Sequence, residues 1–195
     1  GLIESGTTTS GGVSTVLDHM VDLGITHLHL LPIYDFSSVD ETVDGHNWGY
    51  DPKNYNVPEG SYSSDPYNGE VRVEEAKEMI QAFHENGIGV IMDVVYNHMY
   101  SAQDSCLDKT VPDYYFRKDG DKYTNGSGCG NETATERSMM RKYIVDSCVY
   151  WATEYHVDGF RFDLMGCIDQ ETMLAVRAAL DEIDPNIIIL GEGWT

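Results

Sequence analysis

Two residues apart on a short apolar run, Arg161 and Asp163 set a guanidinium beside a carboxylate. The run is Val157-Asp158-Gly159-Phe160-Arg161-Phe162-Asp163-Leu164-Met165-Gly166. Its period-two alternation sends Arg161 and Asp163 to one face and Phe160, Phe162 and Leu164 to the other. A cation at that distance lowers a carboxyl pKa and keeps the group ionised, as a nucleophilic carboxylate requires. Taken alone, the pair fits a structural ion pair equally well. Other apolar runs add company. Ile187-Ile188-Ile189-Leu190-Gly191 leads into Glu192, whose apolar approach predicts a raised pKa and a proton held for general-acid work. Ile88 to Tyr96 leads into Asn97 and His98, where a neutral imidazole offers a hydrogen bond to a hydroxyl.

These residues need elements that bring them together, and the sequence supplies alternating ones. Helical spacing at Val13, Val16, Leu17, Met20 and Val21 predicts a helix from Gly12 that Gly24 closes, followed by a strand over Ile25–Ile33. A second helix is predicted over about Arg72–Asn86, then a strand over Ile88–Tyr96, apolar throughout as a strand covered on both faces would be. A third helix is expected over Thr135–Tyr155, then the Arg161–Asp163 strand, a helix over Gln170–Ile183 and a strand over Asn186–Leu190. Between them lie two long loops, 35–68 and 99–133, of the length that is usually functional or mobile. Strict helix–strand alternation predicts an α/β protein with a parallel sheet, either doubly wound or part of a (β/α)8 barrel.

Asp35, Asn97 with His98, Asp163 and Glu192 all fall at carboxyl ends of predicted strands, where barrel enzymes carry their active sites. With Asp163 and Glu192 on neighbouring strands, their carboxyl groups are expected about 5–5.5 Å apart, the separation used in retaining glycoside hydrolysis. Each residue also has a structural reading: a core salt bridge for Glu192, a structural hydrogen bond for His98, and loop bracing for Asn97. A metal held by Asp93, His98 and Asp163 is disfavoured, because no two histidines stand at ligand spacing.

Composition narrows the partners. A formal net charge of −21 over 195 residues argues against nucleic acid, and no stretch is long and apolar enough to span a membrane. Because the chain opens on Gly1 rather than Met, the lack of a leader says nothing about its compartment. Cys106, Cys129, Cys148 and Cys167 form neither a CxxC pair nor a disulfide framework, and Cys148 reads as a buried thiol. The run Gly126-Ser127-Gly128-Cys129-Gly130 lies mid-loop without a phosphate-loop Lys and reads as flexible. Thirteen Tyr against five Phe suit a polar, ring-shaped ligand.

Three segments together resemble the α-amylase superfamily of glycoside hydrolases: Asp93-Val94-Val95-Tyr96-Asn97-His98, Gly159-Phe160-Arg161-Phe162-Asp163 and Gly191-Glu192. A fourth, His46-Asn47-Trp48-Gly49-Tyr50-Asp51-Pro52, is similar to the pullulanase-type motif Tyr-Asn-Trp-Gly-Tyr-Asp-Pro, with His46 in place of its first Tyr. The resemblance runs through essentially the whole chain, including Val57 to Ser63. It implies Asp163 as nucleophile, Glu192 as acid/base and Arg161 as support for the nucleophile. It further implies that His98, Tyr50, Asn97 and Trp48 bind substrate, with Tyr50 stacking on the sugar at the cleavage point.

The implied substrate is an α-glucan, cut at α-1,6 branch links in pullulan, starch or glycogen-derived dextrins. Within the superfamily the alternatives are an α-1,4-cleaving amylase or neopullulanase, or a branching enzyme. Outside it stands a silent glucan-binding barrel, which typically lacks the nucleophile or the acid. The family's later His-Asp region has no counterpart before Thr195. Residues 1–195 are therefore expected to be a fragment of the catalytic barrel, about its second to fifth strands, with the rest of the barrel and any accessory domains as its partners. Such a fragment is expected to be inactive and aggregation-prone through its raw sheet edges. No organic cofactor and no catalytic metal are expected; calcium, if bound, is expected to be structural, since no contiguous calcium loop appears.

Overall fold

The computed structural model describes residues 1–43 and 45–194. Its amino-terminal half contains helix α1 (Val16–Leu23), strands β1 (His27–Leu30), β2 (Tyr34–Phe36) and β3 (Pro52–Pro58), helix α2 (Gly69–Glu85) and strand β4 (Gly89–Val94). Helix α3 (Cys106–Thr110) and the short strands β5 (Lys118–Asp119) and β6 (Lys122–Tyr123) follow. The last third holds helix α4 (Ser138–Glu154), strand β7 (Gly159–Phe162), helix α5 (Gln170–Asp181) and strand β8 (Ile188–Gly191).

Local chemistry sets the helix ends. Gly24 adopts the left-handed conformation at φ 69° and closes α1 as predicted. The start falls at Val16 rather than Gly12, because Gly12 sits at φ 79° in a tight turn, its N–H on Thr9 O at 2.9 Å. The Asn68 side chain caps α2 by accepting the Glu70 N–H, and Asp169 caps α5 by accepting the Thr172 N–H.

Strands β1, β4, β7 and β8 lie side by side in that order, every pair parallel, with α2, α4 and α5 as crossovers. An open doubly wound sheet reverses its strand order at a switch point; these strands never reverse, and they form part of a (β/α)8 barrel wall. The register fixes the faces. Met92 stands opposite Phe160 and Val94 opposite Phe162, while Asp93 stands opposite Arg161. The first row turns towards the helices and joins Ile80, Phe83, Ile144, Cys148, Trp151, Val176 and Leu180 in the main core. The second row, on the opposite face, carries the polar groups.

Both long loops are more ordered than their composition suggests. In and just before 35–68, β2 and β3 pair antiparallel, and Tyr34 and Tyr55 are completely buried. Trp151 of α4 donates its indole N–H to Tyr55 O at 3.0 Å, so this pair is tied to the helical layer. Prolines at both ends of β3 hid the strand in the sequence, although strand ends tolerate proline. Segment 99–133 holds α3 and the β5–β6 hairpin and returns to brace the end of β4. The Asn131 amide bonds both the N–H and the C=O of Met99, and the Thr133 hydroxyl donates to Tyr96 O at 2.6 Å. The glycine run read as flexible is a hydrogen-bonded turn: Ser127 Oγ donates to Asn131 O at 2.6 Å, and Gly126 N–H to Glu132 at 2.8 Å. Cys148 is a buried free thiol, as expected. Among the described residues no helix is long and apolar enough to cross a membrane.

Candidate active site

The site is built where β4, β7 and β8 end. Alternation along β7 puts Arg161 and Asp163 on one face, and Arg161 Nη1 reaches Asp163 Oδ1 at 3.0 Å. The same Nη1 lies 2.9 Å from Asp93 Oδ1, and Nη2 lies 3.2 Å from Glu192 Oε2. One guanidinium therefore serves three carboxylates from three adjacent strands.

Asn97 holds the other side of Asp163. Its amide nitrogen donates to Asp163 Oδ2 at 2.9 Å and to the Asp163 carbonyl at 2.8 Å. That leaves Asn97 Oδ1 to face His98 Nδ1 at 2.6 Å, while His98 Nε2 faces Tyr50 O at 3.0 Å. Tyr50 turns back towards the sheet and donates its hydroxyl to Asp93 Oδ2 at 2.7 Å. Its ring lies 6.0 Å from the Arg161 guanidinium carbon. Asp163, Asn97, His98, Tyr50, Asp93 and Arg161 thus close a ring of contacts.

Electrostatics differ from the sequence expectation at two points. Asp163 is buried, and burial pushes its carboxyl above the ordinary range despite the opposing pull of the Asn97 hydrogen bond and Arg161. A pKa lowered by Arg161 was expected; desolvation outweighs it. Glu192 was expected in an apolar setting. Instead its side chain is partly exposed, meets Arg161, and accepts the Leu164 N–H at 3.1 Å. His98 behaves as expected: burial lowers its pKa and favours the neutral imidazole. Burial and the Asp93 hydrogen bond raise the Tyr50 pKa, so its phenol stays protonated.

Two backbone features place Glu192. Leu164 adopts the left-handed conformation at φ 41°, which costs a non-glycine residue about 1–3 kcal/mol. That turn aims its N–H at the Glu192 carboxylate, while the Met165 N–H donates to Glu192 O at 3.0 Å. Gly191 lets Met165 lie directly over β8, since a Cβ there would meet the Met165 sulfur at 2.1 Å.

Glu192 joins the ring only through Arg161, and Trp48 alone of the catalytic and substrate-binding residues expected from the sequence stands apart from it. It is exposed, stacks on His46 at 6.0 Å, and lines an open cleft of about 420 Å³ with Ser38, Asn47, Tyr50, Asp51 and Tyr100. Gly49, at φ 86°, holds the bend between Trp48 and Tyr50 against Pro32, where a Cβ would come within 2.9 Å. His29 and Tyr100 carried no role in the sequence reading, and Asp93 entered it only as a disfavoured metal ligand and as the first residue of a family-like segment. Asp93 had a signal, since it lies two residues before Val95 on the face opposite the apolar row, but its partner Arg161 appears only with the register.

Among the described residues, Asp35, Glu41 and Glu59 are the one trio of acidic groups with oxygens within 4.8 Å of one another. Glu59 already accepts the N–H groups of Phe36 and Ser61, Asp35 accepts from Asn54, and Glu41 pairs with Arg72. Each of the three carboxylates is thus already tied to a protein partner, and no calcium is assigned to them.

Residues 4–133 match the family model described as "Alpha amylase, catalytic domain". The chain is 47% identical over 196 residues to a pullulanase of Bacillus subtilis (strain 168), covering 99% of this chain and 27% of that protein. It is 38% identical to Pullulanase 1, chloroplastic, of Arabidopsis thaliana, over 91% of this chain and 23% of that one. The crystal structure of a Paenibacillus barengoltzii pullulanase in complex with maltohexaose and alpha-cyclodextrin superimposes with a TM-score of 0.97 at 56% identity. That match covers 100% of this chain and 31% of the other. The chain thus spans about a quarter to a third of the length of these relatives. With the matched model extending over two thirds of its residues, the chain belongs to the alpha-amylase catalytic-domain family.

Proposed function

We propose that this chain carries the nucleophile and the acid/base of a retaining glycoside hydrolase acting on α-1,6 branch links of α-glucans. The observation that carries the reading is the triple contact of Arg161 with Asp93, Asp163 and Glu192 at adjacent strand ends. Asp163 attacks the anomeric carbon and forms a covalent glycosyl-enzyme; Glu192 protonates the leaving oxygen and then activates water. Arg161 balances charge as it moves between these two carboxylates. Acid–nucleophile chemistry of this kind draws on carboxylates and water alone, so no organic cofactor has a role and calcium is given no step.

Sugar recognition falls to the ring and the cleft. The Tyr50 ring offers a face to the pyranose at the cleavage point, and its hydroxyl is anchored on Asp93. His98, neutral and buried, offers a ring nitrogen to a hydroxyl once it parts from Tyr50 O, while Asn97 orients Asp163. Trp48, beside Tyr50, extends the aromatic surface outward. The preference for α-1,6 links rests on the likeness to pullulanases, and the maltohexaose complex of the Paenibacillus relative supports a glucan ligand. We assign residues 1–195 to the catalytic barrel domain.

The test is the sugar released from pullulan by the full-length polypeptide that carries this chain, with Asp163→Asn as control. Maltotriose from the wild type and none from the variant is the expected result. Panose would mean α-1,4 cleavage and would overturn the branch-link assignment; no product from either would overturn the hydrolase reading.

A further inference from the structure

Asp93 takes no bond-making step in this mechanism, yet both of its carboxylate oxygens are engaged. It is a carboxylate with 1% exposure, so it does not reach a bound sugar from the solvent side. Its Oδ1 takes Arg161 Nη1 at 2.9 Å, and its Oδ2 takes the same nitrogen at 3.1 Å together with the Tyr50 hydroxyl at 2.7 Å. Arg161 Nη1 has two hydrogens. One is spent on the two oxygens of Asp93; the other goes to Asp163 at 3.0 Å. The cation is therefore divided between a carboxylate that does no chemistry and one that must form a bond.

We propose that Asp93 is a positioning residue that withholds part of the Arg161 cation from Asp163, leaving the nucleophile reactive, and that fixes Tyr50 through its second hydrogen bond. The inference rests on the glycosidase reading for its kinetic consequence but not for its electrostatic one. A carboxylate locked in a full, bidentate ion pair with arginine is a poor nucleophile, since the lone pairs that attack are the ones held. Sharing the guanidinium leaves Asp163 a part of the cation's stabilisation without that lock. The negative charge of Asp93 also raises the Asp163 pKa directly, alongside burial. The other charged or titratable groups turned towards Asp93 are His29 on β1, its Nε2 at 3.6 Å, and the buried Tyr34 phenol on β2. Glu192, beyond β8, acts through Arg161 Nη2.

The test is Asp93→Asn in the full-length polypeptide, with Asp163 titrated by carboxylate NMR in uniformly 13C-aspartate-labelled protein and assigned by Asp163→Asn. Loss of the Asp93 charge releases Arg161 to Asp163, so the Asp163 titration is expected to fall by about one pH unit. The acid limb of kcat/KM on pullulan should fall with it. Loss of the Tyr50 anchor should raise KM, and misplacement of Arg161 should lower kcat about tenfold or more. Asp93→Glu restores the charge and is expected to return the Asp163 titration towards wild type even where the rate stays low. Should Asp93→Asn fail to fold, His29→Lys sets a fixed cation beside Asp93 from a half-exposed position and is expected to move Asp163 in the same direction. An Asp163 titration that does not fall in the folded variant, or that is equal in the Asn and Glu variants, overturns the proposal. If the wild type leaves pullulan intact, the hydrolase reading fails while the NMR titration still decides the role of Asp93.

Discussion

Replacing Asn97 with alanine should shift the acid limb of catalysis in the direction opposite to Asp93→Asn, by an amount the geometry bounds. Asn97 Nδ2 gives Asp163 Oδ2 a hydrogen bond of 2.9 Å, and that bond is the first of the influences that hold the Asp163 pKa down. A hydrogen bond to a charged group is worth about 1.5–3 kcal/mol, and about 1.4 kcal/mol corresponds to one pKa unit. The acid limb of kcat/KM should therefore rise by about one to two pH units. Stability should fall by about 1 kcal/mol as well, because the same amide also bonds the Asp163 carbonyl at 2.8 Å. The assay is kcat/KM of the full-length polypeptide on pullulan from about pH 4 to pH 8, with thermal melts at each pH. A limb that stays in place or moves down would show that Asn97 braces the loop and does not hold the charge of Asp163.

Two further outcomes follow from the same network. The folded-state pKa of Asp163 lies above the ordinary aspartate value, so the fold binds its proton more readily than the unfolded chain does. Stability from this group is fully present below the ordinary range and is lost as pH rises through the folded value. Asp163→Asn should therefore raise the melting temperature by about a degree or two at neutral pH and by nothing near pH 4, measured by calorimetry; a loss of stability at neutral pH would contradict the sign. Gly191→Ala should make the Met165 side chain swing off β8, since the new Cβ would occupy the place of its sulfur and terminal methyl, and should leave Glu192 in place. A kcat within about threefold of wild type is expected on pullulan, and a drop of about a hundredfold would mean that Met165 cannot yield without moving the carboxylate.

The parts of this fold that the sequence displayed are those governed by one-dimensional periodicity. Strands β4 and β7 are covered on both faces, so Val90, Met92, Phe160 and Phe162 stood out as apolar positions without any knowledge of their neighbours. The β2–β3 pair did not, because a strand reading Pro-Lys-Asn-Tyr-Asn-Val-Pro carries neither alternation nor β-branched density. What makes it a strand is Tyr55, whose ring packs on Tyr34 and whose carbonyl takes the indole N–H of Trp151, 96 residues further along the chain. The same division runs through the site. Arg161 and Asp163 share a face by alternation alone, and the structure keeps them there. The environment of Glu192 is set instead by the left-handed turn at Leu164 and by the side-chain path of Arg161, neither of which has a sequence signature.

Burial explains the remaining mismatch and gives the site its logic. Read from the sequence, Arg161 acts on Asp163 as a neighbour two residues away, and the pair looks like a simple route to a lowered pKa. In the fold, strand register sets Asp93 opposite Arg161, and the guanidinium that was to serve one carboxylate serves three. Desolvation then outweighs the share left to Asp163. A charge divided in this way can follow the reaction. As Asp163 becomes esterified and loses its negative charge, Arg161 retains Asp93 and Glu192 as partners and is never left buried without one, which would cost several kcal/mol. The closed ring through Asn97, His98 and Tyr50 ties that electrostatic balance to the surface that receives the sugar. A substrate that moves Tyr50 therefore pulls on Asp93, and through it on the cation that holds the nucleophile.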